Sequence, residues 1–238
     1  MLFRDRVDAG QRLARELLAE FPHLKQEQPI VLAIPRGGVP VGYEIALALD
    51  APLDVFIARK LGAPGHEELG IGAVAPGGTR VLDTMAIRAL HIPDDYIERV
   101  TERELAELDR RMQRFRHGRP APDVKGRAVV LVDDGLATGV TARAALAALE
   151  REHPKRLIFA SPVCSPEATE LLGNDADAIV CLAVPQRFYG VGAWYDDFTQ
   201  TSDEEVLELL ALAESRGSGL GTRGSGFGAG DSGLGTRG

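Results

Sequence analysis

The chain reads as an α/β protein, a parallel sheet of about five strands flanked by helices. Three observations predict it. Five short runs dominated by apolar residues (Ile30 to Ile34, Leu53 to Arg59, Val129 to Val132, Arg156 to Val163, Ala178 to Val184) have the composition of strands buried on both faces. Helical segments alternate with them, which is the grammar of right-handed βαβ units. Several runs also end in glycines, acids or arginines, and ligands gather at the carboxyl ends of strands in such sheets.

The elements follow in order. Asp8 to Phe21 places Leu13, Leu17 and Leu18 on one face, an amphipathic helix. The first strand runs into Pro35-Arg36-Gly37-Gly38 and a helix from about Tyr43 to Leu49. The second strand ends in Arg59-Lys60, and Leu61 to Leu69, with two glycines and a proline, reads as a mobile loop. Ile71 to Ala75 and Thr79 to Leu82, joined by Pro76-Gly77-Gly78, read as a hairpin. Pro93 to His117 is a long helix with an apolar stripe of Ile97, Val100, Leu108, Met112 and Phe115. Asp94 and Asp95 stand at its start and Arg110, Arg111, Arg114 and Arg116 near its end, which suits the helix dipole and reads as a solvated helix end. Ser165-Pro166 opens a short helix after the fourth strand. Thr201-Ser202-Asp203-Glu204 fits a capping box for a helix to about Glu214. Residues 216–238, where SGLGTRG occurs twice, lack apolar periodicity and predict a Gly-rich flexible tail.

Composition sets limits. The chain has 238 residues, 45% hydrophobic and 26% charged, with a formal net charge of −8. It can bury a substantial core, and its charge disfavours broad nucleic-acid or anionic-membrane binding. No apolar run has the length of a bilayer span. Met1-Leu2-Phe3 is followed at once by Arg4, Asp5 and Arg6, so no signal peptide is expected and the location is expected to be cytoplasmic. Cys164 and Cys181 lie in apolar runs without metal-ligand spacing and read as reduced core thiols.

The most informative stretch is Val129 to Thr141, VVLVDDGLATGVT. A buried strand delivers Asp133 and Asp134 to the edge of the sheet, and Thr138, Gly139 and Thr141 open an Ala-rich helix, Ala142 to Glu150. Unpaired N–H groups at a helix start attract phosphate. Carboxylates repel phosphate but accept hydrogen bonds from sugar hydroxyls. An anion cradle beside an acid pair describes a site for a phosphorylated ribose. The plainer alternative is a strand-turn-helix with Asp134 as a solvated turn residue. A phosphoacceptor receiver domain also pairs aspartates, but it has no T-G-x-T helix start.

That stretch resembles the phosphoribosyl-diphosphate signature of the type I phosphoribosyltransferases, in which four hydrophobic residues, two acids and A-T-G-x-T recur. The resemblance implies a Rossmann-like sheet with a small hairpin or hood, a long inserted helix at about 93–117, and one phosphoribosyltransferase domain over residues 1–215. It also implies an activity: transfer of ribose 5-phosphate from phosphoribosyl diphosphate to a purine or pyrimidine-type base with release of pyrophosphate. By it, Thr138, Gly139 and Thr141 hold the 5′-phosphate, with Gly135 and Ala137 in the same substrate-binding loop. Asp133 and Asp134 hold the ribose hydroxyls and favour the cationic sugar. Magnesium binds mainly through substrate, near that acid pair. Arg36-Gly37-Gly38 is similar to the R-G-G or K-G-G loop that cradles pyrophosphate in the family, often through a cis non-proline peptide.

Arg59-Lys60 is similar to the R-K pair of orotate and adenine enzymes, with Lys60 as the leaving-group cation. The next loop in orotate enzymes carries a further lysine and a K-D-H-G-like run. Here His66 and Glu67 match in part, and the lysine is missing. Val184 to Phe198 resembles the V-P-x-x-F segment of hypoxanthine-guanine enzymes, which makes Phe188 the base-stacking residue, with Trp194 or Tyr195 beside it; a hydrophobic cluster closing the domain is the alternative. A homodimer is expected. The competing function is a non-catalytic module that senses phosphoribosyl diphosphate or a nucleotide. A phosphohydrolase ranks last, because the acid pair has no second metal-ligand cluster beside it.

Overall fold

The structure, a computed structural model, describes residues 2–219. Seven α-helices and eight strands occur there: α1 Arg6–Glu20, β1 Ile30–Ala33, α2 Gly38–Leu49, β2 Leu53–Val55, β3 Arg59–Ala63, β4 His66–Ala75, β5 Thr79–Leu82, α3 Thr84–Ala89, α4 Asp94–Arg116, β6 Ala128–Val132, α5 Val140–Glu150, β7 Arg156–Val163, α6 Pro166–Leu172, β8 Ala178–Ala183 and α7 Asp203–Gly219.

The predicted five-stranded sheet is present, all parallel, in the order β2-β1-β6-β7-β8. Its strands are mostly apolar because both faces are covered, with Asp54 in β2 and Arg156 and Ser161 in β7 as polar exceptions. Ile30, Leu32, Val129, Leu131, Leu157 and Phe159 meet α5 and the second sheet. The alternating residues Val31, Val130, Val132, Ile158 and Ala160 meet Leu13 and Leu17 of α1 and Val41 and Ile45 of α2. The period of two along each strand thus feeds two separate cores.

A second, antiparallel sheet has the order β3-β4-β5. Helix α4 links it to the main body. Its Ile97 and Val100 pack with Leu61, Ile71 and Val74, while Leu108 and Phe115 pack with Val206 and Leu210 of α7.

Several expectations are corrected. The second run is a strand only over Leu53–Val55, and Arg59 and Lys60 begin β3 of the other sheet. The stretch expected to be a mobile loop, Leu61 to Leu69, is most of a β3–β4 hairpin, with Ala63 opposite His66. Its turn places Pro64 before Gly65 at φ 70°, the residue order that a tight turn with a positive φ requires. Its glycines serve the turn and a bulge rather than a disordered loop.

Helix α2 starts at Gly38, five residues before Tyr43, because Pro40 sits in the first turn, where a missing N–H costs nothing. Helix α3, capped by Asp83, is an element the sequence reading did not contain. Helix α7 extends to Gly219, so the first residues of the expected tail are helical; the remainder of 216–238 lies outside the described residues.

The arginines of α4 are not simply solvated. Arg116 is 6% exposed, bonded to Asp54 and to the Val55 carbonyl, and Arg114 pairs with Asp203 and Glu204. Cys164 and Cys181 are not free thiols but a disulfide joining β8 to the residue after β7, with Cα atoms 6.2 Å apart. Adjacent parallel strands brought the two residues into bonding range, which composition alone did not reveal.

No helix among the described residues is long and apolar enough to cross a membrane.

Candidate functional site

Strand order locates the site. From β1 the chain moves outward to β2, while β6 leads the other way to β7 and β8. The loops after β1 and β6 therefore diverge and leave a crevice at the carboxyl ends of the two central strands. The Arg36-Gly37-Gly38 loop forms one wall and the Asp133-to-Thr141 loop forms the other.

The helices that begin there differ from most of the others at their N-termini. Side chains cap α1 (Asp5), α3 (Asp83), α6 (Ser165) and α7 (Ser202). Helices α2 and α5 follow directly on Gly37 and Gly139 with no side-chain cap, and α4 shares this lack, away from the crevice. The first-turn N–H groups of α5 are thus left for an anion or water, whereas at α2 the Gly38 and Val39 N–H groups already donate to the Ile34 and Arg36 carbonyls (both 3.1 Å) and Pro40 has none. Gly139 has φ 75°, a conformation that favours glycine. Thr138 precedes it and is exposed, and Thr141 lies in the first turn.

The loop is pinned from below. The Leu136 N–H donates to the Val163 carbonyl (2.8 Å), the Ser165 N–H to the Leu136 carbonyl (2.8 Å), and Ser165 Oγ to the Ala137 carbonyl (2.7 Å). A loop held by its carbonyls can turn donors toward the crevice without moving.

The acid pair sits beside this cradle. Asp133 Oδ1 accepts the Asp134 N–H at 2.8 Å. Asp134 Oδ2 accepts from Arg6 Nε at 2.8 Å. Burial, reinforced by the neighbouring Asp134 charge, pushes the Asp133 carboxyl well above the ordinary carboxylate range. Burial also raises Asp134, opposed by its Arg6 pairing. The Tyr195 hydroxyl donates to the Asp134 carbonyl at 2.6 Å, and burial pushes that phenol up as well.

Glycine at position 37 is a steric requirement, since a Cβ there would overlap the Asp134 carboxylate. At Gly38 a Cβ would lie 2.7 Å from the Val132 carbonyl oxygen. The two walls of the crevice therefore touch through Gly37 and Asp134. Gly135 packs against Val191 of the segment that follows β8. The Pro35–Arg36 peptide is cis.

The other expected residues are more dispersed. The Arg36 guanidinium lies 3.5 Å from Asp203 at the start of α7. Asp203 also accepts from Arg114 of α4 at 2.5 Å, so the inserted helix reaches the neighbourhood of the Gly37 loop through a shared carboxylate. Arg59 is committed to Glu104 of α4 (2.6 and 2.9 Å). Lys60 is exposed on β3, opposite Ala73. Both sit on the second sheet rather than at the end of β2. Phe188 is half-buried, packed with Val191, Trp194 and Phe198 onto Phe3, Ala9, Val163 and Tyr195. That is the cluster the sequence held open as the alternative to a stacking platform, while the adjacent Tyr189 is 81% exposed.

Sequence reasoning missed Arg6, which stands 128 residues from its partner and lies in no motif. It also missed the Arg36–Asp203–Arg114 cluster. No local signal marks either, because each contact is made by the packing of α1 or α7 onto the sheet.

Among the described residues no group of three or more carboxylate, His or Cys side chains converges on a metal position. Two adjacent carboxylates fit a magnesium ion that takes most of its ligands from substrate phosphates and water.

The family described as Phosphoribosyl transferase domain matches residues 3–190. The Mycobacterium tuberculosis (strain ATCC 25618 / H37Rv) protein named "Putative phosphoribosyl transferase Rv0571c" is 43% identical over 209 residues, 88% of this chain and 46% of that protein. A protein of strain CDC 1551 / Oshkosh, named "Putative phosphoribosyl transferase MT0597", matches to the same extent. The chain thus spans less than half the length of the curated relatives it matches. Among solved structures, TT1426 from Thermus thermophilus is 46% identical with a TM-score of 0.75, covering 89% of this chain and 99% of that one. The strand order, the paired glycine-started helices and the match over residues 3–190 agree, and the chain belongs to the phosphoribosyl transferase domain family.

Proposed function

We propose that the protein transfers the 5-phosphoribosyl group of phosphoribosyl diphosphate to a nitrogen of a purine or pyrimidine-type base. A bond forms between that nitrogen and the anomeric carbon, the bond from the carbon to the pyrophosphate oxygen breaks, and the base releases its N–H proton. The observation that carries this reading is the juxtaposition of an uncapped helix start at Gly139 with the Asp133-Asp134 pair across from Gly37. Thr138, Thr141 and the first-turn N–H groups of α5 would take the 5′-phosphate, with Gly135 and Ala137 shaping the loop. Asp133 and Asp134 would take the ribose hydroxyls. The Arg36-Gly37-Gly38 loop before α2 would take pyrophosphate, with the Arg36 guanidinium as its cation. Magnesium, when bound, supplies charge neutralisation on the leaving pyrophosphate. The chain's own task is positioning and stabilisation of separating charge.

A panel experiment tests this: incubate the protein with phosphoribosyl diphosphate, magnesium and single bases, and follow pyrophosphate release. Release that depends on one base supports a transferase.

A second reading has its own observations. The 61–69 segment is a paired hairpin without a lysine, and Arg59 is engaged by Glu104. Both favour a module that binds phosphoribosyl diphosphate or a nucleotide without turnover. Binding by calorimetry without release on any base selects it. A cytoplasmic location and a homodimer are part of the proposal for either reading.

A further inference from the structure

Arg6 is the first residue of α1, directly after the Asp5 cap. Its side chain is only 11% exposed. Nε donates to Asp134 Oδ2 at 2.8 Å and Nη1 donates to the Thr199 carbonyl at 2.8 Å. The guanidinium carbon lies 4.0 Å from the centroid of the Phe198 ring. A guanidinium is planar, and its donors point in fixed directions. Two acceptors and a ring face together fix its orientation.

The same oxygen, Asp134 Oδ2, is crowded by a second element as well. The Gly37 backbone presses so close to the carboxylate that a Cβ would overlap it. The Gly37 loop and Arg6 thereby both bear on Oδ2 and fix that end of the carboxylate. A carboxylate bonded at one oxygen presents its other oxygen in a set direction. The guanidinium charge also offsets the repulsion between two adjacent aspartates.

We infer that Arg6 is a positioning residue for the site: it sets the direction in which Asp134 meets a ribose hydroxyl, and it ties α1 and the 198–199 segment to that carboxylate. The inference rests on the reading above, in which Asp134 faces the ribose. A pair that served stability alone would shift the melting temperature without changing the ligand affinity of the folded protein.

The test is a double-mutant cycle on the full chain. Arg6→Lys keeps the charge and much of the stem but loses the fork of donors. Asp134→Asn keeps the shape and loses the charge. Each variant and the double are titrated with phosphoribosyl diphosphate and magnesium by calorimetry, and each is melted. Arg6→Lys is expected to weaken binding about tenfold, a coupling typical of groups in one network, with a fall in Tm of no more than about 2–4 °C. In the Asp134→Asn background the same change should alter affinity less than about twofold, because the effect runs through Asp134. Wild-type affinity in Arg6→Lys, or losses that simply multiply in the double variant, overturns the inference. Should the Arg6 variants not fold, Phe198→Leu removes the stacking partner and leaves Arg6 in place. It should weaken binding about two- to threefold, in line with the modest strength of a cation–π contact, and unchanged affinity there overturns the inference equally. If the wild type binds no phosphoribosyl diphosphate, the proposed function fails and takes the inference with it. Wild-type binding with unaltered variants removes the inference alone.

Discussion

Gly37→Ala isolates the contact between the two walls of the crevice. Gly37 has φ −61° and ψ −30°, a helical conformation that alanine adopts without strain. On backbone grounds alone the substitution stabilises by about 0.4–1 kcal/mol, through loss of freedom in the unfolded chain. Sterics oppose this. The new Cβ would overlap the Asp134 carboxylate, which is bonded to Arg6 and has little room to turn aside. Overpacking of that kind costs about 1–3 kcal/mol. The net expectation is destabilisation by about 1–2 kcal/mol, a fall in Tm of about 2–8 °C for a chain of this size. Differential scanning calorimetry reads it directly. The sharper arm is the same change in an Asp134→Ala background, where the obstructing atoms are gone. There Gly37→Ala should become neutral or stabilising. Destabilisation of equal size in both backgrounds would refute the claim that Asp134 is what forbids a side chain at position 37.

Three further outcomes follow from the site and its surroundings. Burial and the Asp134 charge raise the folded-state Asp133 carboxyl above its ordinary value of 3.8, so the native state holds the extra proton between that value and the raised one. The associated stability is present below the ordinary value and is lost as pH rises through the raised one. Asp133→Asn should therefore melt higher than wild type at pH 7–8, with the gap closing as pH falls toward about 4; a gap independent of pH counts against the burial argument. Reduction of the Cys164–Cys181 disulfide, with a sequence separation of 17, should cost about 3 kcal/mol, and an identical melt with and without dithiothreitol would show that the bond carries no stability. If the protein turns over, Lys60→Ala should lower kcat only modestly, because Lys60 is exposed on β3 of the second sheet; a fall of about a hundredfold, the loss typical of one preorganised donor, would instead place it at the leaving group.

Five strands of the main sheet, helices between them and the glycine-preceded start of α5 were legible in the sequence, because each depends on residues close together along the chain. Val129 to Val132 is apolar on both faces, and Gly139 supplies the positive φ that opens α5 without a capping side chain. Hydrophobic period and helix-start chemistry are local, so local reading recovers them. The same locality misled at Leu61 to Leu69, where two glycines and a proline are equally the grammar of a loop and of a tight turn, and only pairing between β3 and β4 chose the turn.

Long-range partners were beyond such a reading. The sequence singled out Asp134 but could not show that Arg6 of α1 would be its cation or that Tyr195 would hold its carbonyl. It could not show that Arg59 would be occupied by Glu104, or that Cys164 and Cys181 would lie side by side. The physical reason is the same in each case. Charge and thiol chemistry state only that a partner of a certain kind is suitable, and many residues qualify. Which one arrives is decided when the helices pack on the sheet: Leu13 and Leu17 settle α1 against the face formed by Val31, Val130 and Ile158, and that docking carries Arg6 to the mouth of the crevice.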